Sequence, residues 1–193
     1  MKKNLKILVV GGGGREHAII KRLAVSPKTE KLYAAPGNGG MEKDAVLVPI
    51  KATEIEKIAD FCESEAIDFV VVAPDDPLVM GLVDLLEKKG IKAFGPDKKA
   101  AAIEGSKAFS KGLMKKYGIP TAAYEVFDEV LAAVSYLKKQ NSYPAVIKAD
   151  GLALGKGVII APDEAAATAA VTDMLEGGRF GQSGKRIVIE EFL

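Results

Sequence analysis

The 193-residue sequence predicts an α/β protein: a parallel sheet first, then a second α/β unit of different pattern. Three observations predict it. Short apolar runs alternate with stretches of helical periodicity over the first hundred residues. These runs end in glycine, proline or aspartate clusters, as strands buried in a parallel sheet do. Beyond residue 97 the order changes to a long helical stretch, then strand, helix, strand, strand, helix and strand.

Each element has its own signal. Ile7-Leu8-Val9-Val10 is a strand stopped by glycines, and residues 15–23 form a helix with Ala18, Ile19 and Leu23 on its apolar side. A strand at 32–35 is ended by Pro36-Gly37-Asn38-Gly39, and 46–50 is a short third strand. Thr53 caps the next helix, with Glu56 at capping-box spacing and Ile55, Ile58, Ala59 and Cys62 facing inward. Residues 69–73 are the strongest strand, followed by one helix over 78–88, a stop at Gly90 and a strand at 91–94. The helical stretch 100–117 breaks near Gly105-Ser106. Strands at 124–127, 145–149, 157–161 and 186–191 enclose helices at 129–139 and 164–175, and 177–184 reads as a mobile surface loop.

Composition narrows the function. Apolar residues at 48% and charged residues at 27% are globular values that argue against disorder. Lys plus Arg is 27 against 26 for Asp plus Glu, so no basic footprint points to nucleic acid. The single cysteine, Cys62, excludes internal disulfides and cysteine-rich metal sites and fits a reducing cytoplasm. No apolar run suits a bilayer, since 5–10 is short and interrupted by Lys6. The glycines after it are not an export cleavage site.

In an open parallel sheet, ligands sit beyond the carboxyl ends of the strands. Gly11-Gly12-Gly13-Gly14-Arg15-Glu16-His17 falls there, between a strand and a helix whose N-terminus favours an anion. A dinucleotide site is disfavoured, because Glu16 replaces the third glycine of G-x-G-x-x-G and no acid ends the second strand. A smaller phosphorylated ligand fits better, and a ligand-free tight turn stays open. His17 is the only histidine and reads more readily as a packing residue than as a base. Asp75 and Asp76 follow the best strand; a substrate contact and helix capping by Asp76 ahead of Pro77 are both open. Lys148 lies in an apolar strand and needs an anionic partner. Gly155-Lys156-Gly157 follows it, not as a Walker A loop, because position 150 is Asp and no Ser or Thr follows Lys156. A glycine-rich hairpin folding over phosphates and an exposed turn are its two readings. For Glu190 and Glu191 the bland reading is an edge strand with solvated acids.

Taken in order, GGGGREHA (11–18), PGNGG (36–40), FGP (94–96), EGSKAFSK (104–111), IPTAAYEVF (119–127), PAVIKADGLALGKGV (144–158) and the closing VIEEFL resemble the phosphoribosylamine–glycine ligase family of purine biosynthesis, also called glycinamide ribonucleotide synthetases. VIKADG or EEFL alone would indicate only the wider ATP-grasp superfamily. The resemblance implies a Rossmann-like, pre-ATP-grasp domain over 1–97 on the phosphoribosylamine side. The first part of an ATP-grasp domain would follow over 98–193, with linker helices at 98–120 and an ATP-binding subdomain with its small flap at 121–193. It implies ATP contacts from Lys107, Lys148 and Gly151, a flap at Gly155, Lys156 and Gly157, and an adenine hinge at Glu190, Glu191, Phe192 and Leu193. The substrate side would be Gly11, Gly12, Gly13, Gly14, Arg15, Glu16, His17, Pro36, Gly37, Asn38 and Asp75, although Asp75 stands where the family usually has Glu. Leu154 likewise replaces a smaller residue.

The implied reaction activates glycine as an acyl phosphate for attack by phosphoribosylamine. Positioning and charge neutralisation do the work, with no side-chain nucleophile. Its partners would be ATP, glycine and 5-phosphoribosylamine, with no nucleic acid and no membrane, in the cytoplasm. Family members run to about twice this length, and their magnesium ligands lie in the remainder. The chain therefore reads as an N-terminal portion with no metal site, a mobile flap and no ligase activity alone. Another ATP-grasp ligase fragment, such as a biotin carboxylase, and a stand-alone nucleotide-binding module are the alternatives.

Overall fold

The computed structural model describes residues 4–153 and 156–193, so Leu154 and the flap residue Gly155 lie outside the described residues. The chain divides into two compact units, Met1–Ala101 and Ala102–Leu193.

The first unit runs β1 (Leu5–Gly11), α1 (Gly14–Ala24), β2 (Thr29–Pro36), β3 (Val46–Leu47), α2 (Ile55–Ser64), β4 (Phe69–Val72), α3 (Asp75–Met80), α4 (Leu82–Lys88) and β5 (Lys92–Phe94). Its sheet has the order β3-β2-β1-β4-β5, with every pair parallel. Chain order reverses between β1 and β4, the place where such sheets open a crevice. Both faces are covered. Leu8, Val10, Tyr33, Val70 and Val72 pack with α2 and α4, while Ile7, Val9, Leu32 and Val71 pack with Ile20 of α1. That two-sided burial is why the strands are almost continuously apolar.

Several sequence expectations are corrected here. The helix expected over 78–88 is two, because Gly81 turns left-handed (φ 96°) between α3 and α4. The α3 N-cap is Pro74, so Asp76 lies in the first turn instead of capping. Glu54, not Thr53, occupies the N-cap position of α2, and it makes no side-chain cap; its carboxylate turns back to accept from the Lys51 N–H at 2.9 Å. Ala18 is exposed, and Ile20 carries the buried face of α1.

The second unit contains α6 (Lys107–Tyr117), β6 (Tyr124–Phe127), α7 (Val130–Gln140), β7 (Ala145–Ala149), β8 (Val158–Ala161), α8 (Glu164–Leu175) and β9 (Ile187–Glu191); α5 (Lys98–Gly105) precedes them across the boundary. The expected helix break falls at Ser106, which caps α6 by accepting from the Phe109 N–H at 3.1 Å. The sheet order is β6-β9-β7-β8, all antiparallel. One face packs Ala145, Ile147, Ile187 and Ile189 against α7 and α8. The opposite face carries Val146, Lys148, Val188 and Glu190, with Val158 and Ile160 exposed on β8. β9 lies between β6 and β7, so the edge-strand reading of Glu190 and Glu191 is wrong. Segment 177–184 ends in a 3₁₀ turn, Gly181–Gly184, whose Ser183 hydroxyl donates to the Leu152 carbonyl at 2.8 Å.

Candidate functional site

In the first unit the loops following β1 and β2 are tied together. The Asn38 amide donates to the Gly12 carbonyl at 2.8 Å, and the Gly37 N–H donates to the Gly11 carbonyl at 3.1 Å. A methyl on Gly12 would stand 2.6 Å from the Gly37 carbonyl oxygen, so glycine at 12 lets the two backbones touch. Gly11 adopts φ 118°, with Pro74 and Glu16 against it. Glu16 is buried and folds back, its carboxylate accepting from the Gly13 N–H at 2.6 Å. The residue that spoiled the dinucleotide fingerprint thus reaches back from the first turn of α1 to the N–H of its N-cap, Gly13, the one half of a capping box that a glycine N-cap allows. Gly14, at the start of α1, is exposed with nothing within 4 Å of where a Cβ would stand. Packing thus accounts for glycine at 11 and 12 but not at 14. His17 packs beside Gly40, and its Nε2 is buried with no hydrogen-bond partner among the described residues. Arg15 is exposed, its Nε 3.4 Å from the Glu16 carboxylate. Pro36 closes β2. Asp75 sits half-buried in the first turn of α3, and no hydrogen bond ties it to the glycine loop among the described residues.

In the second unit a charged cluster gathers at one end of the sheet. Lys148 and Glu190 occupy diagonal positions on adjacent strands, since Val146 pairs with Glu190 and Lys148 with Val188. The Lys148 ammonium reaches the Glu190 carboxylate at 2.8 Å, supplying the anion that its apolar strand required. It lies on the more open sheet face, not in the core, with its side chain 27% exposed. Lys111 of α6, buried, approaches the same Glu190 oxygen at 3.0 Å. The other oxygen, Oε1, is buried with no partner among the described residues.

Beside this cluster the Lys107 ammonium donates to the Gly151 carbonyl at 2.9 Å. Burial lowers the Lys107 pKa below its ordinary value, and nearby Lys148 adds to the shift, against opposing pulls from Asp150, Glu104 and Glu190. Asp150, buried at the end of β7, fastens the cluster. It accepts from the Ala108 N–H at 2.7 Å, from the Ser106 hydroxyl at 3.0 Å and from Arg186 at 2.7 and 2.8 Å. A carboxylate at the first turn of α6 also suits the helix dipole. Four cations (Lys107, Lys111, Lys148 and Arg186) thus gather around two buried carboxylates, a surplus suited to an anionic ligand.

Sequence reasoning passed over Lys111, Asp150, Ser106 and Arg186 as site residues. Lys111 had a signal, lying one helical turn from Lys107. Asp150 had one too, as an acid closing an apolar strand.

The remaining expected residues are placed as follows. The Gly151 N–H faces the Ser183 carbonyl at 3.4 Å, and Ser183 leaves no space for a side chain at 151. Lys156 is exposed; it lines a cleft of about 310 Å³ with Leu152, Ala153, Arg179 and Phe180. Gly157 is buried against Ala149 and Ala153. Glu191 is exposed and pairs twice with Ala123, its N–H donating at 3.0 Å and its carboxylate accepting at 2.7 Å. Phe192 and Leu193 are exposed. No group of three or more His, Cys, Asp or Glu side chains is placed to hold a metal ion among the described residues.

Two family models match consecutive stretches: phosphoribosylglycinamide synthetase N domain over residues 5–104, and its ATP-grasp (A) domain over 105–193. The chain belongs to the phosphoribosylglycinamide synthetase family. The phosphoribosylamine–glycine ligase of Allochromatium vinosum is 51% identical over 191 residues, covering 98% of this chain and 44% of that protein. The enzyme of the same name from Pasteurella multocida is 49% identical with the same coverage. Among solved structures, the Thermotoga maritima phosphoribosylamine–glycine ligase superposes with a TM-score of 0.77 at 34% identity, covering 98% of this chain and 44% of that one. The biotin carboxylase domain of Hydrogenobacter thermophilus 2-oxoglutarate carboxylase reaches 0.78 at 22% identity, over 97% of this chain and 44% of that one, and shares the fold. The chain therefore spans less than half the length of the phosphoribosylglycinamide synthetase relatives it matches.

Proposed function

We propose that the chain supplies the phosphoribosylamine-binding unit and the phosphate-holding part of the ATP-binding unit of a phosphoribosylamine–glycine ligase in purine biosynthesis. The resemblance would put the boundary between these functional domains at residues 97/98, a few residues before the structural division at Ala101/Ala102, and the enzyme would work in the cytoplasm. The observation that carries the nucleotide half is the lysine cluster: Lys107 and Lys148 converge beside the buried Glu190 with positive charge in surplus. Electrostatic neutralisation of phosphate oxygens is the main service such a site offers, and it needs no nucleophile.

On this reading Lys107 and Lys148 hold the ATP phosphates, Gly151 adds a further ATP contact, and Gly155, Lys156 and Gly157 would belong to the flap. Glu190, Glu191, Phe192 and Leu193 form the adenine hinge. With the Glu191 N–H bonded to Ala123, the hinge contact falls to the Glu191 carbonyl and to Leu193. Magnesium would arrive with the nucleotide, its protein ligands lying in the parts of the relatives that this chain does not span.

The substrate half rests on the zipped loops. Gly14, open to solvent at the N-terminus of α1, would let a phosphate approach the backbone, with Arg15 and His17 beside it. Gly11, Gly12, Gly13 and Glu16 hold that loop in shape, and Pro36, Gly37 and Asn38 buttress it. Asp75 would border the same crevice at the β1/β4 reversal.

Calorimetric titration of the chain with ATP and, separately, with ribose 5-phosphate tests both halves. Saturable binding of each is expected, without glycine-dependent ADP formation. Failure of ATP to bind overturns the nucleotide assignment, failure of ribose 5-phosphate the loop assignment, and turnover by this chain the division of labour.

A further inference from the structure

We propose that Lys111 is a positioning residue: a fixed counter-ion that neutralises Glu190, so that Lys148 is free to leave it for a nucleotide phosphate. This rests on the nucleotide reading above and adds to it a residue that contacts no ligand. Both ammonium groups meet one Glu190 oxygen, Lys148 at 2.8 Å and Lys111 at 3.0 Å, yet their surroundings differ. Lys111 is buried; it donates to the Thr121 hydroxyl at 2.8 Å and the Ala122 carbonyl at 3.3 Å, and its third contact is the ion pair with Glu190. It also lies 5.5 Å from the centroid of the Tyr124 ring. Lys148 is partly exposed, and its ammonium has Glu190 as its one hydrogen-bond acceptor among the described residues.

Charge decides which lysine moves. Glu190 has a side chain only 5% exposed, and a buried carboxylate stripped of its counter-ion is strongly disfavoured. Were Lys148 the sole partner, moving it onto a phosphate would strand that charge, and ATP would have to compete with Glu190 for the ammonium. Lys111, held from three sides, stays and keeps the carboxylate neutralised. Lys148 then exchanges one oxygen anion for another.

The test is a mutant cycle on the chain, with ATP titrated calorimetrically and folding checked by circular dichroism. K111M should weaken ATP binding by about tenfold or more, because Lys148 becomes the only counter-ion of Glu190. K111Q keeps donors to Thr121 and removes the charge; it should show the same loss, and it replaces K111M if that variant does not fold. K111R should retain affinity. The decisive comparison is E190Q against E190Q/K111M. With no carboxylate to neutralise, the second change should alter affinity by less than about twofold, which a general structural role for Lys111 would not produce. Equal ATP affinity in the parent chain and K111M, or a further tenfold loss in E190Q/K111M, overturns the proposal. If the parent chain binds no ATP, it is the nucleotide assignment that fails.

Discussion

Removing the Asp150 carboxylate should loosen the second unit selectively, and the cost follows from its partners. Asp150 is buried and holds the Ala108 N–H, the Ser106 hydroxyl and the Arg186 guanidinium at once. Hydrogen bonds to a charged group contribute about 1.5–3 kcal/mol each, but three sharing one carboxylate do not add. The Arg186 pair is discounted to about 1 kcal/mol or less, because that side chain is half exposed. D150A should therefore cost about 3 kcal/mol, a fall of roughly 12–20 °C in Tm for a unit of this size. D150N keeps an acceptor for Ala108 and should cost about half as much. Of the chain's five tyrosines, Tyr117, Tyr124, Tyr136 and Tyr143 lie in the second unit and only Tyr33 in the first. Tyrosine emission during urea unfolding thus follows mainly the second unit. A loss below about 1 kcal/mol in D150A, or an equal loss in the first unit's transition, would refute the clamp.

Two glycines of one loop should respond oppositely. G12A presses a methyl against the unyielding Gly37 carbonyl and should destabilise the first unit by about 1–3 kcal/mol, whereas G14A meets open space and should leave urea stability unchanged or raise it by about 0.5 kcal/mol while weakening ribose 5-phosphate binding. Nucleotide affinity should fall as pH rises through the lowered Lys107 pKa, at a midpoint below that of an ordinary lysine, because the neutral amine no longer attracts phosphate. K107R, which stays charged, should flatten that limb of the calorimetric pH profile. Burial pushes the Cys62 thiol up to about 12, so it should resist a thiol reagent at pH 8 in the folded chain and react only as the first unit opens in urea.

The fold was largely legible in the sequence because its signals are local. β6, β7 and α8 fall on the residues that periodicity marked, and the break of the long helix came at Ser106, where a cap was waiting. The errors were local as well. At Gly81 a left-handed turn split a continuous apolar pattern, and α2 begins one residue later than a Thr53 cap requires, with Glu54 at the N-cap and its carboxylate turned back to the Lys51 N–H. The glycine-rich loop was visible as a loop, but the work of each glycine was not. Gly12 is glycine because another loop's carbonyl touches it, and no spacing rule carries that information.

The charged cluster marks the limit most clearly. Lys148 announced by its apolar strand that it needed an anion, and the run of family-like residues marked Glu190. Nothing in the chain's order joins residues 111, 148 and 190, which come from a helix and two antiparallel strands. The sequence by itself determined the alternation of elements, the family resemblance and the demand for a counter-ion, because propensity, periodicity and the cost of burying charge act residue by residue. Only the tertiary structure decided that Glu190 meets two lysines on one oxygen, and that Asp150 clamps α6 to Arg186. Strand register and helix placement set those distances, and interactions this short depend on separation in space, not along the chain.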